Sequence, residues 1–432
     1  MLTLGGRQGR TKIVVAALAA GALAAGVVAA LPADAAAPAP AADAASAPVV
    51  VGVDLPFQGS NGPITQEMWT ALQVYVKSIG GKAGTHPLTL KRYDDSTAAA
   101  AKWDPAQCLA NAQRHLATKG EVAVVGPFNS GCAKIEVPVL AGGADGPLLM
   151  VSPASTNPGL TKPWDLGEPG KYQPGGVRTY ARVLPTDDKQ GTAAARYAKG
   201  TLHSKRCAVL DDRDTYGKGV ADAFVKAARG LKLPVVFRST WDGKAANYTA
   251  LMKRIKAKHP DCLYLGGIYD NNGARLLADK VRLLGSNTAV KVLADDGFTG
   301  FPELDASPAG AGLYATFAGT DLPHILAKPT AVQKAFVAAY TKATKKRLAG
   351  SYALYAVAAL QVVVRAVATS DGTRQGVHDA VLSGPGITLP AAASMTGRAV
   401  AIDPATGDIR VGQMTVERIV AKQERFVALL DV

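Results

Sequence analysis

Residues 121–160 constrain the fold most, because they alternate a short apolar strand, a polar turn, a helix and a second apolar strand. The first apolar run, 123–125, stops at Gly126-Pro127, and the second, 148–151, stops at Ser152-Pro153. In an open parallel sheet both strands end at the same edge, which is the edge where ligands bind. The segment therefore predicts an α/β fold with a binding edge at these two turns.

Hydroxyl side chains follow both of these strands. Ser130 opens the helix after the first strand, and Ser152, Ser155 and Thr156 follow the second. Hydroxyls and free backbone N–H groups at a helix N-terminus suit an anion, for example a carboxylate. Each hydroxyl could also be an ordinary N-cap. Two neighbouring turns with the same chemistry favour a binding site.

The same alternation of strands and helices continues in two runs, separated by a break at 184–188. It predicts two doubly wound parallel-sheet lobes, joined by a multi-strand hinge and facing each other across a cleft. We expect lobe 1 to comprise 49–183 plus 318–385, and lobe 2 to comprise 184–317 plus 386–432. The tail of lobe 2 has the pattern of a small β addition. The Gly/Pro-rich stretch 158–176 is too long for an ordinary loop, and the pattern assigns it no structure.

The N-terminal segment has the pattern of a secretory signal peptide. Arg7, Arg10 and Lys12 precede an apolar run at 13–31, and Ala33-Asp34-Ala35 has the form of a cleavage site. We therefore expect a signal peptide over 1–35, cleavage near Ala35 and an extracytoplasmic location. The alternative is an uncleaved anchor, because the apolar run is long enough to span a bilayer. The Ala/Pro-rich segment 36–48 is expected to be a flexible tether.

The chain is basic, with a formal net charge of +14. Its charges are scattered, and no basic run is interleaved with aromatic residues, so we expect no nucleic-acid partner. In an exported protein, such a positive charge suits contact with anionic envelope polymers, or serves solubility alone.

Four cysteines in an exported chain indicate disulfides, with three possible connectivities. We favour Cys108–Cys132 and Cys207–Cys262, because Cys207 and Cys262 start two apolar strands at matching positions. None of the four has metal-ligand spacing, and no metal or cofactor is expected. The six histidines are scattered over apparent loops and helix ends, and we expect them at the surface.

Eight segments of the chain resemble, in order and spacing, the type 1 periplasmic binding proteins of ABC importers, in particular the leucine/isoleucine/valine-binding branch. They cover nearly the whole chain after the leader. The segments are VVVGVDLPFQGSNG, KRYDDS, VAVVGPFNSG, LLMVSPASTNPGLT, RVLPTDDKQG, VLDDRDTYGKG, LYLGGIYDNNG and VLADDGF.

This resemblance implies that a free amino acid binds between the lobes. Its carboxylate would lie on Ser130, on the backbone of Ala154 and on Thr156, with Ser155 between them. A zwitterion needs such an anion site on one side and a carboxylate on the other, in a cleft that excludes water.

For the ammonium group the resemblance implies Asp296, where some family members have the longer Glu. It also implies that Tyr216 closes over the ligand, and the adjacent glycines favour a loop position for this residue. The sequence departs from the family at two cleft positions. Ile268 stands where a second aromatic is common, with Tyr269 next to it, and Asn61 stands where an aromatic often contacts the ligand side chain. A larger or more polar amino acid, or an aromatic or other carboxylate, is therefore an alternative ligand.

The resulting hypothesis is a non-enzymatic, monomeric solute-binding protein that closes around a small molecule and offers it to an ABC permease. The same fold could be a ligand sensor for a membrane receptor, which the sequence does not distinguish from transport. An exported hydrolase is disfavoured, because the G-x-S-x-G, H-E-x-x-H and P-loop motifs are missing from the sequence.

Overall fold

The computed structural model describes residues 46–432. The expected signal peptide and most of the expected tether lie outside this range. Within it, no helix has both the length and the apolar character needed to cross a membrane.

The secondary structure alternates as the sequence predicts. The strands are β1 (Val49–Leu55), β2 (Lys82–Ala83), β3 (His86–Asp94), β4 (Ser96–Thr97), β5 (Lys102–Trp103), β6 (Glu121–Val125), β7 (Leu149–Ser152), β8 (Tyr180–Arg182), β9 (Cys207–Asp211), β10 (Val235–Thr240), β11 (Cys262–Gly266), β12 (Lys291–Ala294), β13 (Tyr314–Phe317), β14 (Thr388–Leu389), β15 (Val400–Ala401), β16 (Gln413–Val420) and β17 (Gln423–Asp431). The helices are α1 (Gly62–Ser78), α2 (Pro105–Ala117), α3 (Ser130–Leu140), α4 (Asp187–Gly200), α5 (Thr215–Gly230), α6 (Thr249–Lys256), α7 (Gly273–Leu284), α8 (Pro302–Ala306), α9 (Leu322–Ala327), α10 (Ala331–Thr344), α11 (Tyr352–Ala368) and α12 (Arg374–Leu382). The unassigned stretch 158–176 contains three 3₁₀ turns, Pro158–Leu160, Gly170–Tyr172 and Pro174–Gly176.

The first sheet has the strand order β2-β3-β1-β6-β7-β8, and all of its strands except β2 run parallel. The chain goes from β1 to one side for β3, and then to the other side for β6. The order therefore reverses between β1 and β6, which is where a doubly wound sheet opens a ligand crevice. The segments after these two strands begin at Pro56 and Gly126.

The second sheet repeats this arrangement with the order β10-β9-β11-β12-β13-β16-β17. Strands β9 to β13 are parallel, and the hairpin β16–β17 continues the sheet antiparallel. The reversal here lies between β9 and β11. The predicted fold class, two doubly wound parallel-sheet lobes, is confirmed, and the predicted C-terminal β addition is this hairpin.

One part of the tail packs against the first sheet. The sequence assigned all of 386–432 to lobe 2, but Ile387, Leu389, Val400 and Ile402 are buried in the apolar core that also contains helix α11 and strand β1. Short apolar segments of this kind can pack in either core, so their composition alone does not predict which lobe they join. The return to the second sheet comes with β16.

The favoured cysteine pairing agrees with the structure. Cys108 on α2 and Cys132 on α3 have Cα atoms 5.6 Å apart, and Cys207 on β9 and Cys262 on β11 have Cα atoms 4.5 Å apart. Both separations suit a disulfide, and the sulfur atoms lie at bonding distance.

The expected surface location is wrong for two histidines. His115, in the last turn of α2, is fully buried between Asp54 and Glu121. His378 lies within α12 and is 6% exposed, with its ring bonded to the carbonyl oxygen of Arg178. Acceptors from other segments satisfy both rings, and histidine positions along the chain do not reveal such acceptors.

Arg374 is the buried cation that closes the C-terminal end of α2. Its guanidinium donates to the carbonyl oxygens of His115, Leu116, Thr118 and Glu121 at 2.7–3.2 Å. The last carbonyl groups of a helix have no partner within the helix, so this side chain supplies donors that α2 otherwise lacks.

We expect Arg374→Gln to lower the free energy of unfolding by about 3 kcal/mol, because it leaves buried carbonyl groups without donors. Arg365→Gln, on the exposed side of α11, is the matched control and should change it by less than about 0.5 kcal/mol. Denaturant titration measures both values. Equal effects of the two substitutions would contradict this role for Arg374.

Candidate functional site

The crevices of the two sheets face each other, and hydrogen bonds connect their rims. Ser60, after β1, donates its backbone N–H to Asp270, after β11, at 2.9 Å. Lys102 donates to the side chain of Asn271 at 2.5 Å. Asn157 donates its side-chain amide to the carbonyl oxygen of Thr215 at 3.1 Å. The lobes are therefore in contact across the cleft, and the structure is a closed form.

The two hydroxyl-bearing turns of lobe 1 meet, as the sequence predicts. Ser130 is the first residue of α3 and is buried, and its hydroxyl oxygen accepts from the backbone N–H groups of Thr156 and Asn157, each at 3.2 Å. Ser152 accepts from the N–H of Ala154 at 3.2 Å. We call Ser130, Ala154 and Thr156 the nest. It combines hydroxyls, backbone N–H groups and the positive end of the α3 dipole.

Ser155 differs from its neighbours in the nest. Its N–H and its hydroxyl both donate to Ser152, its hydroxyl also contacts the Tyr180 hydroxyl, and its carbonyl accepts from Tyr180. Its hydrogen-bonding groups are thus engaged inside lobe 1. The ligand-binding role of Ser155 stays a prediction.

Arg182 supports the loop of the nest, and the sequence analysis did not identify it. The side chain is fully buried, donates to the carbonyl oxygens of Ser155 and Asn157 at 3.3 and 3.0 Å, and pairs with Asp408 at 2.8 Å. It fixes the backbone conformation that presents the N–H groups of the nest. Its position in the motif RVLPTDDKQG was the available signal.

Asp296, directly after β12, is buried and accepts three hydrogen bonds. Tyr216 and Gln190 donate to Oδ1 at 2.5 and 2.6 Å, and Tyr352 donates to Oδ2 at 2.5 Å. Burial raises the pKa of Asp296, and these donors act against that shift by stabilising the ionised form. Tyr352 belongs to helix α11 of lobe 1, so it joins the lobes through this carboxylate.

The structure brings Tyr216 and Asp296 together, as the resemblance implied, but Tyr216 does not lie in a loop. It is in the first turn of α5 and is 7% exposed. Tyr352 and Gln190 were not predicted: Tyr352 comes from a helix remote in sequence from the strand-end motifs, and Gln190 lies in the segment RVLPTDDKQG but was not singled out.

Asn61 lies at the contact between the lobes, and Tyr269 lies in lobe 2 with its backbone N–H bonded to the carbonyl oxygen of Gly297, next to Asp296. The Tyr269 ring packs on Phe301 with centroids 4.8 Å apart, in the apolar core of lobe 2. The side-chain amide of Asn61 donates to Asp270. Asn61 therefore connects the lobes in this closed form, and Tyr269 packs within lobe 2.

Aromatic rings lie beside the nest and beside the donors of Asp296. Trp103 packs with the cluster that contains Tyr216, and its ring lies so close to Gly131 that a side chain there would overlap it. Phe128 contacts Tyr352, with ring centroids 4.9 Å apart. The sequence analysis did not identify Trp103 or Phe128 as site residues.

A second acid lies near the nest. Asp187, in the first turn of α4, is fully buried beside the Thr156 hydroxyl, and burial raises its pKa to about 8, with the Asp296 charge adding to the shift. Its neighbour Asp188 behaves in the opposite way. Despite partial burial, hydrogen bonds from Thr186 and Lys162 lower the pKa of Asp188.

These two acids should give opposite pH dependences. The pKa of Asp187 rises on folding from 3.8 to about 8, so the folded state binds a proton that the unfolded state releases over this range. Wild-type stability therefore falls with pH in this window, by up to about 1.4 kcal/mol per pH unit from this group. Asp187→Asn should remove that fall, and its melting temperature should exceed that of the wild type increasingly from pH 5 to pH 8.

Asp188→Asn is the matched control. Its folded-state pKa is lowered, so the wild-type side chain stabilises the protein at neutral pH and loses this effect in acid. Melting temperatures between pH 4 and pH 8 measure both variants. A parallel pH dependence of the wild type and Asp187→Asn would contradict the raised pKa of Asp187.

Comparisons with known proteins agree with this architecture. The family model described as "Periplasmic binding protein" matches residues 48–415. An amino acid binding protein of Pseudomonas aeruginosa is 27% identical over 324 residues, which are 74% of this chain and 78% of the relative. A Leu/Ile/Val-binding protein of Rhizobium johnstonii is 28% identical over 270 residues, covering 62% of this chain and 66% of that protein.

Solved structures share the fold. A leucine-binding protein from Thermotoga maritima has a TM-score of 0.71 at 22% identity, over 88% of this chain and 98% of that one. An ABC-transporter solute-binding protein from Rhodopseudomonas palustris, in complex with p-hydroxybenzoic acid, has a TM-score of 0.73 at 18% identity, over 89% and 97%.

The family model matches most of the chain, and the two doubly wound lobes meet at their crevices. Together these findings identify the family. The chain belongs to the periplasmic binding protein family, in the leucine/isoleucine/valine-binding branch of its type 1 members.

Proposed function

We propose that this protein is an extracytoplasmic, non-catalytic solute-binding protein that holds a small amino acid-like ligand between its lobes and delivers it to an ABC permease. The observation that carries the proposal is the buried carboxylate of Asp296. It accepts hydrogen bonds from both lobes and lies in the same cleft as the nest.

The nest suits the ligand carboxylate. The Ser130 hydroxyl oxygen accepts hydrogen bonds from two backbone N–H groups, and its own O–H can still donate one to a ligand. The N–H groups of the 154–157 loop and the N-terminus of α3 add partial positive charge. A carboxylate that displaced the contacts between Ser130 and this loop would gain charge-assisted hydrogen bonds in a cleft of low dielectric constant.

Asp296 suits the ligand ammonium. An ionised carboxylate has about four acceptor positions, and three are used here by Tyr216, Gln190 and Tyr352. An ammonium group can take the fourth or replace a tyrosine hydroxyl. Its charge would also counter the effect of burial on Asp296 and favour the ionised form.

Ligand delivery follows from closure. A ligand that contacts the nest of lobe 1 and Asp296 of lobe 2 binds the closed form more tightly than an open form, so it shifts the population toward closure. A permease that recognises the closed form then receives loaded protein. The names of the relatives from P. aeruginosa and R. johnstonii support an amino acid as the ligand.

An aromatic carboxylate is a second candidate ligand. The rings of Trp103, Phe128 and Tyr352 lie around the cleft, and a structural neighbour binds p-hydroxybenzoic acid. Such a ligand has no ammonium group and would use the nest without a charged partner at Asp296.

A thermal-shift screen of the purified protein against amino acids and aromatic carboxylates tests both candidates. A ligand at one hundred times its Kd should add about 2.7 kcal/mol to the free energy of unfolding, which raises the melting temperature measurably. We expect one class to do so. No shift with either class would contradict the proposed ligand chemistry.

Asp296→Asn distinguishes the two ligand classes. For an amino acid it should weaken binding at least about tenfold, because the ammonium loses its charged partner. For an aromatic carboxylate it should leave binding unchanged or strengthen it, because a buried carboxylate is removed. Asp242→Asn, at a 55% exposed side chain, is the matched control, and isothermal titration calorimetry gives the Kd values. Unchanged amino acid affinity in Asp296→Asn would show that the ammonium lies elsewhere.

Tyr352→Phe tests the role of closure. It removes one donor from lobe 1 to Asp296 while retaining the ring contact with Phe128, so we expect ligand affinity to fall about 5- to 30-fold. Tyr340→Phe removes a hydroxyl with a single 3.4 Å contact and should have little effect. Calorimetry measures affinity, and small-angle scattering with and without ligand measures closure. Equal behaviour of the two variants would contradict the role of Tyr352.

A further inference from the structure

A second cluster of chemistry-bearing residues lies inside lobe 1. Asp54 on β1, His115 on α2 and Glu136 on α3 are all fully buried. One ligand atom from each lies within 4.8 Å of the other two. The three residues are spread over more than eighty positions, and no spacing motif in the sequence joins them.

The imidazole of His115 is oriented by two acidic partners. Its Nδ1 contacts Glu121, whose other carboxylate oxygen accepts from the Tyr93 hydroxyl at 2.7 Å. Its Nε2 lies 3.0 Å from Oδ2 of Asp54, and the other oxygen of Asp54 accepts from Asn111 at 3.0 Å. In metal sites a ligating histidine commonly bonds a carboxylate through its second nitrogen, which fixes the tautomer. Glu121 at Nδ1 would have that role here, and Nε2, which faces Asp54, would be the ligating nitrogen.

Glu136 supplies an independent observation. Both of its carboxylate oxygens are buried without a hydrogen-bond partner among residues 46–432, although they belong to this group. A buried carboxyl group without a donor is costly, and it calls for either a cation or a proton. Asp95, also fully buried and without a partner in the same range, is a further acid nearby, and burial raises its pKa.

The supporting elements are rigid. The disulfide pair Cys108–Cys132 links α2 to α3, and β1 lies inside the first sheet. Gly52 in β1 has no side chain, which leaves the space that His115 and Glu121 occupy. Positions on strands and helices hold ligand atoms more accurately than positions on loops.

We propose that Asp54, His115 and Glu136 form a binding site for a divalent transition-metal ion, with Zn²⁺ as the best match. One imidazole nitrogen and two carboxylate oxygens suit Zn²⁺, with metal–ligand distances of about 2.0–2.2 Å. Donor atoms on a tetrahedral ion of that size are about 3.3 Å apart. The separation of 3.0 Å between Asp54 and His115 is close to this value, and a carboxylate oxygen of Glu136, within 4.8 Å of both, would move closer to complete the set. The ion would fix α2 and α3 to β1.

The competing explanation is a proton shared between Glu136 and Asp54. Burial raises the pKa of Glu136, and Asp54 adds to the shift, so a neutral Glu136 could donate to Asp54. The substitution Glu136→Gln separates the two explanations. Its amide can still donate to Asp54, but it is a poor ligand for Zn²⁺.

In the test, full-length protein is unfolded in denaturant in the presence of EDTA. It is then refolded with or without one equivalent of Zn²⁺ and desalted. Elemental analysis should find about one Zn²⁺ per chain in the wild type, and the melting temperature should be higher with Zn²⁺ than without. His115→Gln and Glu136→Gln should lose both effects. His259→Asn, at an exposed histidine, is the matched control and should behave as the wild type.

Glu121→Gln retains all three ligands and changes only the group that orients His115. We expect it to weaken Zn²⁺ affinity 10- to 100-fold, measured by competition with a chelating dye. The proposal is wrong if the wild type keeps no Zn²⁺ after desalting. It is also wrong if Glu136→Gln keeps as much Zn²⁺ as the wild type, since the bound ion would then be adventitious. Neither result depends on the ligand of the interlobe cleft.

Discussion

A parallel strand buried on both faces places its polar groups at or beyond its ends, and the rest of this structure depends on that constraint. In β1, β6, β9 and β11 nearly every residue is buried, so the turns after these strands carry the chemistry. Each sheet reverses its strand order once, and the reversal opens one crevice in each lobe. When the lobes close, the two crevices form one cleft, so a single topological rule locates both halves of the site.

Closure buries the carboxylate of Asp296, and groups from both lobes stabilise it. Asp296 is removed from water, which disfavours its charge, and its donors come from α4 and α5 of lobe 2 and from α11 of lobe 1. The donor from lobe 1 is available only when the lobes are close. Closure and ionisation of this carboxylate therefore favour each other, and a ligand cation would add to the same balance.

The sequence predicts the local parts of this arrangement well. Strand ends and their hydroxyls are encoded within a few residues, so Ser130 and Thr156 were identified and do meet. Tyr352 and Arg182 were missed, because their roles depend on partners far away in the chain. His115 was assigned to the surface for a related reason, since its acidic partner Asp54 comes from β1, 61 residues earlier in the chain. The misassigned stretch 386–402 has short apolar runs that could cover either sheet.

Buried carboxylates need stabilisation at two places in this chain, and their surroundings supply it differently. Around Asp296 the neighbours are neutral donors, tyrosine hydroxyls and an amide, which stabilise a charge without fixing a particular cation. Around Asp54 and Glu136 the neighbour is the imidazole of His115, which Glu121 orients, and Glu136 has no hydrogen-bond donor among the residues that the structure describes. The first environment can exchange its donors as the lobes open and close. The second is enclosed by a strand and two helices that carry a disulfide pair, so an ion there would be a permanent part of lobe 1.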